Sequence, residues 1–173
     1  MQQEARVIQP VLQKDRRACF IASCLAVARA LGTNRSGFDE AALVGLAERR
    51  DLMTSLGFKT AGHFEETCSF MSTHLGLDLS SYGGTPVETA EGFAGLMHSG
   101  KFALVNAPLS THGASSFHWR AVAGKGPRGF SVADPLRSES SHMSAEHLAS
   151  WLVGHAFLPT SIATSVYGVE AKK

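Results

Sequence analysis

The sequence predicts an α+β fold, with an N-terminal helical part packed on a C-terminal antiparallel sheet. Between residues 17 and 98 apolar side chains recur mostly at helical spacing. From residue 102 onward they come in short apolar or alternating runs separated by Gly, Pro and Ser, as strands do. Strands and helices do not alternate strictly, which a parallel α/β sheet would require. With 173 residues, 44% of them hydrophobic and 18% charged, the chain can bury a real core. No internal repeat, low-complexity linker or composition break divides it, so one domain over residues 1–173 is expected.

Residues 5–12 are apolar-rich with a proline and suit a short edge strand or an extended lead-in. A helix is expected from Arg17 to Leu31, with Ile21, Cys24, Leu25, Ala28 and Leu31 on its buried face and Gly32 as C-cap. A second is expected from Phe38 to Leu52, with Ala41, Ala42, Leu43, Leu46 and Ala47 on one side. Residues 52–58 are ambiguous. A third helix spans Thr60 to Leu75, carrying Phe64, Cys68, Met71 and Leu75, and Gly76 ends it. Leu77 to Tyr82 alternates as a strand and Gly83-Gly84 turns. Thr85 then caps a fourth helix from Pro86 to His98.

Phe102–Val105 is a buried strand and 108–116 a loop. Phe117–Ala123 is a second strand, with Trp119, Ala121 and Ala123 on one face and His118, Arg120 and Val122 on the other. A hairpin turn at Gly124–Gly129 leads to a third strand, Phe130–Asp134, stopped by Pro135. Ser144 caps a helix reaching Leu152, Phe157–Val169 is a closing strand, and Lys172-Lys173 is a frayed tail.

Composition excludes several roles. Net charge is +1 with Lys and Arg scattered, so neither a nucleic-acid surface nor a polybasic membrane patch is expected. There is no run of about 18 apolar residues, hence no membrane span. The N-terminus has no apolar core of a signal peptide, so the expected location is the cytoplasm, or outside it by a signal-peptide-independent secretion system. Cys19, Cys24 and Cys68 are odd in number and unevenly spaced, unlike a disulfide framework. The eight histidines are dispersed, so no metal and no other cofactor is expected.

The stretch from Gln13 to Ser23 carries the chemistry. Cys19 falls on the first turn of a core helix, where unpaired N–H groups and the positive dipole end favour a thiolate. Arg16 and Arg17 add positive charge nearby. A thiolate nucleophile needs a base, an orienter for that base and donors for the oxyanion. His118 is the base candidate. Asp134 follows sixteen residues later at the end of the next strand, and the hairpin brings the two ends together. Gln13, six residues before Cys19, can donate a side-chain N–H beside the Cys19 backbone N–H.

Each has a plain alternative: a small buried thiol, a satisfied strand histidine, a turn aspartate, a surface glutamine. His112 is a second candidate base, in a Gly/Ser loop without a carboxylate at matching spacing. Cys24, Cys68, Trp119 and Trp151 read as core.

Gln13-x-Asp15-x-x-x-Cys19, Phe117-His118-Trp119 and Val132-Ala-Asp134-Pro135, in that order, resemble the papain-like cysteine peptidases, in particular the C39-like group. That group includes bacteriocin-processing peptidase domains of some ABC transporters. Met143 to Trp151 is similar to its closing segment. Phe20 stands where C39 peptidases usually carry glycine, and an aromatic there is more like papain. No transporter domain follows, so that group's leader-peptide substrate is not carried over.

The resemblance implies a papain-like cysteine protease fold and a hydrolase that cleaves a peptide or amide bond through an acyl-thioester. Cys19, His118, Asp134 and Gln13 would be its site residues. Glutamine deamidation, peptidoglycan amide cleavage and acyl transfer use the same constellation, and a non-catalytic peptide- or partner-binding module is the rival from another class. The expected partners are a polypeptide or amide substrate and, for a bacterial effector or toxin, a cognate inhibitor or a host target protein.

Overall fold

The computed structural model describes residues 7–60, 62–81, 97, 101–108, 117–126, 128–148 and 166–173. Helix α1, Cys19–Leu31, is rich in alanine and leucine and is buried at every residue from Phe20 to Ala28. The sequence spacing predicts a single buried face; instead α1 is central, with neighbours on all sides, and even Ser23 is enclosed. It ends at Gly32, whose φ of 69° lets its N–H reach back to Ala28 and Arg29.

Helix α2, Glu40–Arg49, is shorter than expected at both ends; it starts late because Asp39 caps it, accepting from the Ala42 N–H at 2.8 Å. Its buried side is Glu40, Leu43, Val44 and Ala47. Ala41 and Ala42 are exposed, which corrects the expected apolar face. The ambiguous stretch is a small hairpin, β1 (Met53–Thr54) with β2 (Gly57–Phe58). Helix α3, Phe64–Leu75, stops at Gly76. Cys68 on it is half-buried, not core, and its Sγ lies 3.7 Å from the Leu79 carbonyl.

The sheet is six-stranded and antiparallel, in the order β3-β8-β4-β5-β6-β7. Its strands are β3 (Leu77–Ser81), β4 (Phe102–Pro108), β5 (Phe117–Gly126), β6 (Gly129–Ala133), β7 (Ser141–Met143) and β8 (Val166–Ala171). The three-residue strand β7 has no periodic signature in the sequence; pairing with β6 makes it a strand. Ser144 caps a helical turn at 145–148, accepting from the His147 N–H at 3.1 Å. The expected Gly83-Gly84 turn, the 86–98 helix apart from Met97, the loop with His112, Trp151 and residues 157–165 lie outside the described residues.

Alternation along β5 divides the apolar residues between two clusters. Trp119, Ala121 and Ala123 join Phe102, Leu104 and Tyr167 against α1, α2 and α3. Val122 joins Ala103, Val105, Phe130, Val132, Met143 and Leu148 in a second cluster. No helix among the described residues is long and apolar enough to cross a membrane.

Candidate active site

Three contacts hold the segment leading to Cys19. The buried Glu40 carboxylate accepts from the Lys14 N–H at 2.9 and 3.0 Å and from the Asp15 N–H at 2.8 Å. The Asp15 carboxylate accepts from the Arg17 N–H at 2.8 Å and from its guanidinium at 3.0 and 2.6 Å. The Gln13 N–H donates to the Pro135 carbonyl at 3.0 Å, which pins the segment beside the end of β6. Arg17 also reaches Glu48 at 2.9 Å, so Asp15 and Glu48 take up its charge and it is not spare positive charge for Cys19.

Ala18 precedes α1 with no side-chain cap, and the first turn holds no acidic residue. The positive end of the helix is therefore left to Cys19, which is half-buried. Phe20 turns into the core against Trp119 and Phe58, with ring centroids 4.9 and 5.1 Å apart. An aromatic after the cysteine thus does not cover the thiol.

His118 and Asp134 are both buried, and His118 Nε2 lies 2.7 Å from Asp134 Oδ1. The register Ala121↔Ala133 and Val122↔Val132 brings the strand ends into line, so the hairpin juxtaposes these two side chains. Asp134 Oδ1 also accepts from the Leu136 N–H at 2.9 Å, and Oδ2 accepts from Arg120 Nε at 2.9 Å. Burial alone would raise the Asp134 pKa; the hydrogen bonds from His118, the Leu136 N–H and Arg120 hold it well below the usual carboxylate range. Burial alone would likewise lower that of His118. Hydrogen bonds to Asp134 and Cys19, and the charges of both, outweigh it and hold the imidazole above its ordinary range. With Nε2 given to the carboxylate, Nδ1 is the ring nitrogen left for another partner.

The structure therefore pairs His118 with Asp134, and Cys19 is close enough to favour the charged form of the imidazole. Gln13 Nε2 donates at 3.3 Å to the Asp15 carbonyl, which also accepts from the Ala18 N–H at 2.9 Å. That bond uses one amide proton and leaves the second for another acceptor.

Three contributors were not singled out by sequence reasoning. Arg120 had a visible signal, since it shares the face of His118 two residues along the strand. Ser23 had a weaker one, a hydroxyl inside an apolar helix; it donates to the Trp119 carbonyl at 3.1 Å. Glu40 had none, because its partners lie some 25 residues away.

No protein-family model matches the sequence, and no curated protein matches it. Solved structures are similar over almost the whole chain, among them two peptidases. One is the peptidase domain of Streptococcus ComA, a bifunctional ABC transporter involved in a quorum-sensing pathway. It has 21% identity and a TM-score of 0.59, with 96% of this chain and 99% of that one covered. The other is a C39-like peptidase from Bacillus anthracis, at 11% identity and TM-score 0.56, covering 99% of this chain and 100% of that one. The likeness shows a papain-like peptidase fold of the C39 type.

Proposed function

We propose that this chain, which has the fold of C39 peptidases, is a cysteine-dependent hydrolase that cleaves a peptide or amide bond, as one domain over residues 1–173. The observation that carries the reading is the buried His118–Asp134 pair at 2.7 Å, with Cys19 near enough to favour the protonated imidazole. A buried imidazole beside a fixed carboxylate keeps its proton and stabilises a neighbouring thiolate.

In the proposed mechanism the Cys19 thiolate attacks the carbonyl carbon. The Cys19 N–H and the spare Gln13 N–H receive the oxyanion. His118 gives its proton to the leaving amine as the C–N bond breaks, which leaves a Cys19 thioester. Water then attacks the thioester as His118 takes its proton, releasing the acid and restoring the ion pair. Asp134 keeps Nε2 protonated and the ring in place throughout.

The substrate in this reading is a polypeptide. The compartment is the cytoplasm or, for an effector or toxin, the far side of a signal-peptide-independent secretion route, where a target or inhibitor protein would be the partner.

Iodoacetamide labelling of Cys19 against pH, followed by peptide mapping, tests the reading. The expected result is labelling well below pH 7 that is lost in His118→Ala. A half-maximum near the ordinary thiol value of about 8.5, unchanged by the mutation, would sink it. A pull-down with Cys19→Ala then identifies the polypeptide held.

A further inference from the structure

Arg120 lies two residues beyond His118 on β5 and is as well buried. Its Nε donates to Asp134 Oδ2 at 2.9 Å, while His118 and the Leu136 N–H occupy Oδ1. Both carboxylate oxygens are thus engaged, and the group cannot rotate away from the imidazole without breaking a charged hydrogen bond. One step beyond Ala121↔Ala133, the β5–β6 register sets Arg120 opposite Asp134, so the placement follows from strand pairing.

The site is a row of four groups: Cys19, His118, Asp134, Arg120. In the ion-paired state their charges alternate in sign and sum to zero. Without Arg120 the row would carry a net negative charge in a buried place, and Asp134 would act on His118 alone.

We propose that Arg120 is a positioning residue of this site, which locks the Asp134 carboxylate against His118 and limits how firmly His118 holds its proton. The inference rests on the hydrolase reading for its consequence, but its geometry does not. A charge-sharing arginine tempers the pull of Asp134, so His118 remains able to release its proton to the leaving amine. The groups that face His118 are Asp134 from the end of β6 and Cys19 from α1, and Arg120 acts through Asp134.

The test is the titration midpoint of the His118 ring, followed by NMR of its nitrogens in the full chain, in wild type, Arg120→Met, Arg120→Gln and Arg120→Lys. The Met and Gln variants remove the charge and should raise the midpoint by about one pH unit. The Lys variant keeps the charge and should stay within a few tenths of wild type. If Met does not fold, the Gln and Lys pair decides. An unchanged or lowered midpoint in the neutral variants overturns the proposal, as does a Lys variant that shifts like them. Wild-type Cys19 labelling is read separately. An ordinary thiol there with the His118 shift present counts against the hydrolase reading alone, whereas an ion-paired thiol with no shift counts against Arg120 alone.

Discussion

Ser23 Oγ donates to the Trp119 carbonyl at 3.1 Å, and the bond is fully buried. Ser23 lies one helical turn after Cys19, and Trp119 is the residue after His118. One hydroxyl therefore ties the helix that carries Cys19 to the strand that carries His118, next to both. Ser23→Ala should cost about 1–2 kcal/mol and lower the thermal midpoint by a few degrees. It should also slow Cys19 alkylation below pH 7, because the helix is no longer indexed to the strand. Denaturation and labelling on the same sample check both, and full reactivity at reduced stability would show that packing alone sets the pair.

Asp134 makes the fold acid-sensitive. Its folded pKa is depressed, so its stabilisation is present above its unfolded value of about 3.9 and is lost as pH falls below that. His118 has the opposite sign: its stabilisation is complete below about 6.5 and fades as pH rises through its elevated folded value. Asp134→Asn should cost roughly 3 kcal/mol near neutrality, since it leaves Arg120 and His118 without a carboxylate. The gap to wild type should close below about pH 4, which denaturant midpoints across pH would show.

Glu40 shapes the approach to Cys19 without touching it. Glu40→Ala strips the acceptor from the Lys14 and Asp15 N–H groups and should cost about 2–3 kcal/mol. The loop that holds Gln13 then loosens. Acylation by p-nitrophenyl acetate should slow, while the pH profile of Cys19 alkylation stays in place, because Glu40 does not touch the His118–Asp134 pair. A shifted profile would place Glu40 in the ion-pair system instead.

Phe20 is core. Buried against Phe58, Trp119 and Tyr167, it should cost about 3–5 kcal/mol on replacement by alanine. Labelling of Cys19 at a temperature where the variant is folded should follow the same pH profile as in wild type.

Much of the candidate site was legible because its members sit at features with strong local signals. A cysteine opens an apolar helix, and a hairpin with an unambiguous glycine turn separates His118 from Asp134. Boundaries were less legible. α1 begins at Cys19, not Arg17, since Asp15 holds Arg17 out of the helix through its backbone and guanidinium. α2 begins at Glu40 because Asp39 caps it. β7 was invisible, as Ser141, His142 and Met143 become a strand only beside β6.

By itself the sequence determined the α+β order, the alternation of β5 and the candidates Gln13, Cys19, His118 and Asp134. These follow from periodicity and turn chemistry, which act between residues close in the chain. Only the tertiary structure decided that β8 slots between β3 and β4, that Ser23 locks α1 to β5, that Glu40 holds the lead-in and that Arg120 shares Asp134 with His118. Such contacts join residues far apart in sequence. They depend on which buried hydrogen-bonding groups must find partners once the core has closed, and no local pattern encodes that choice.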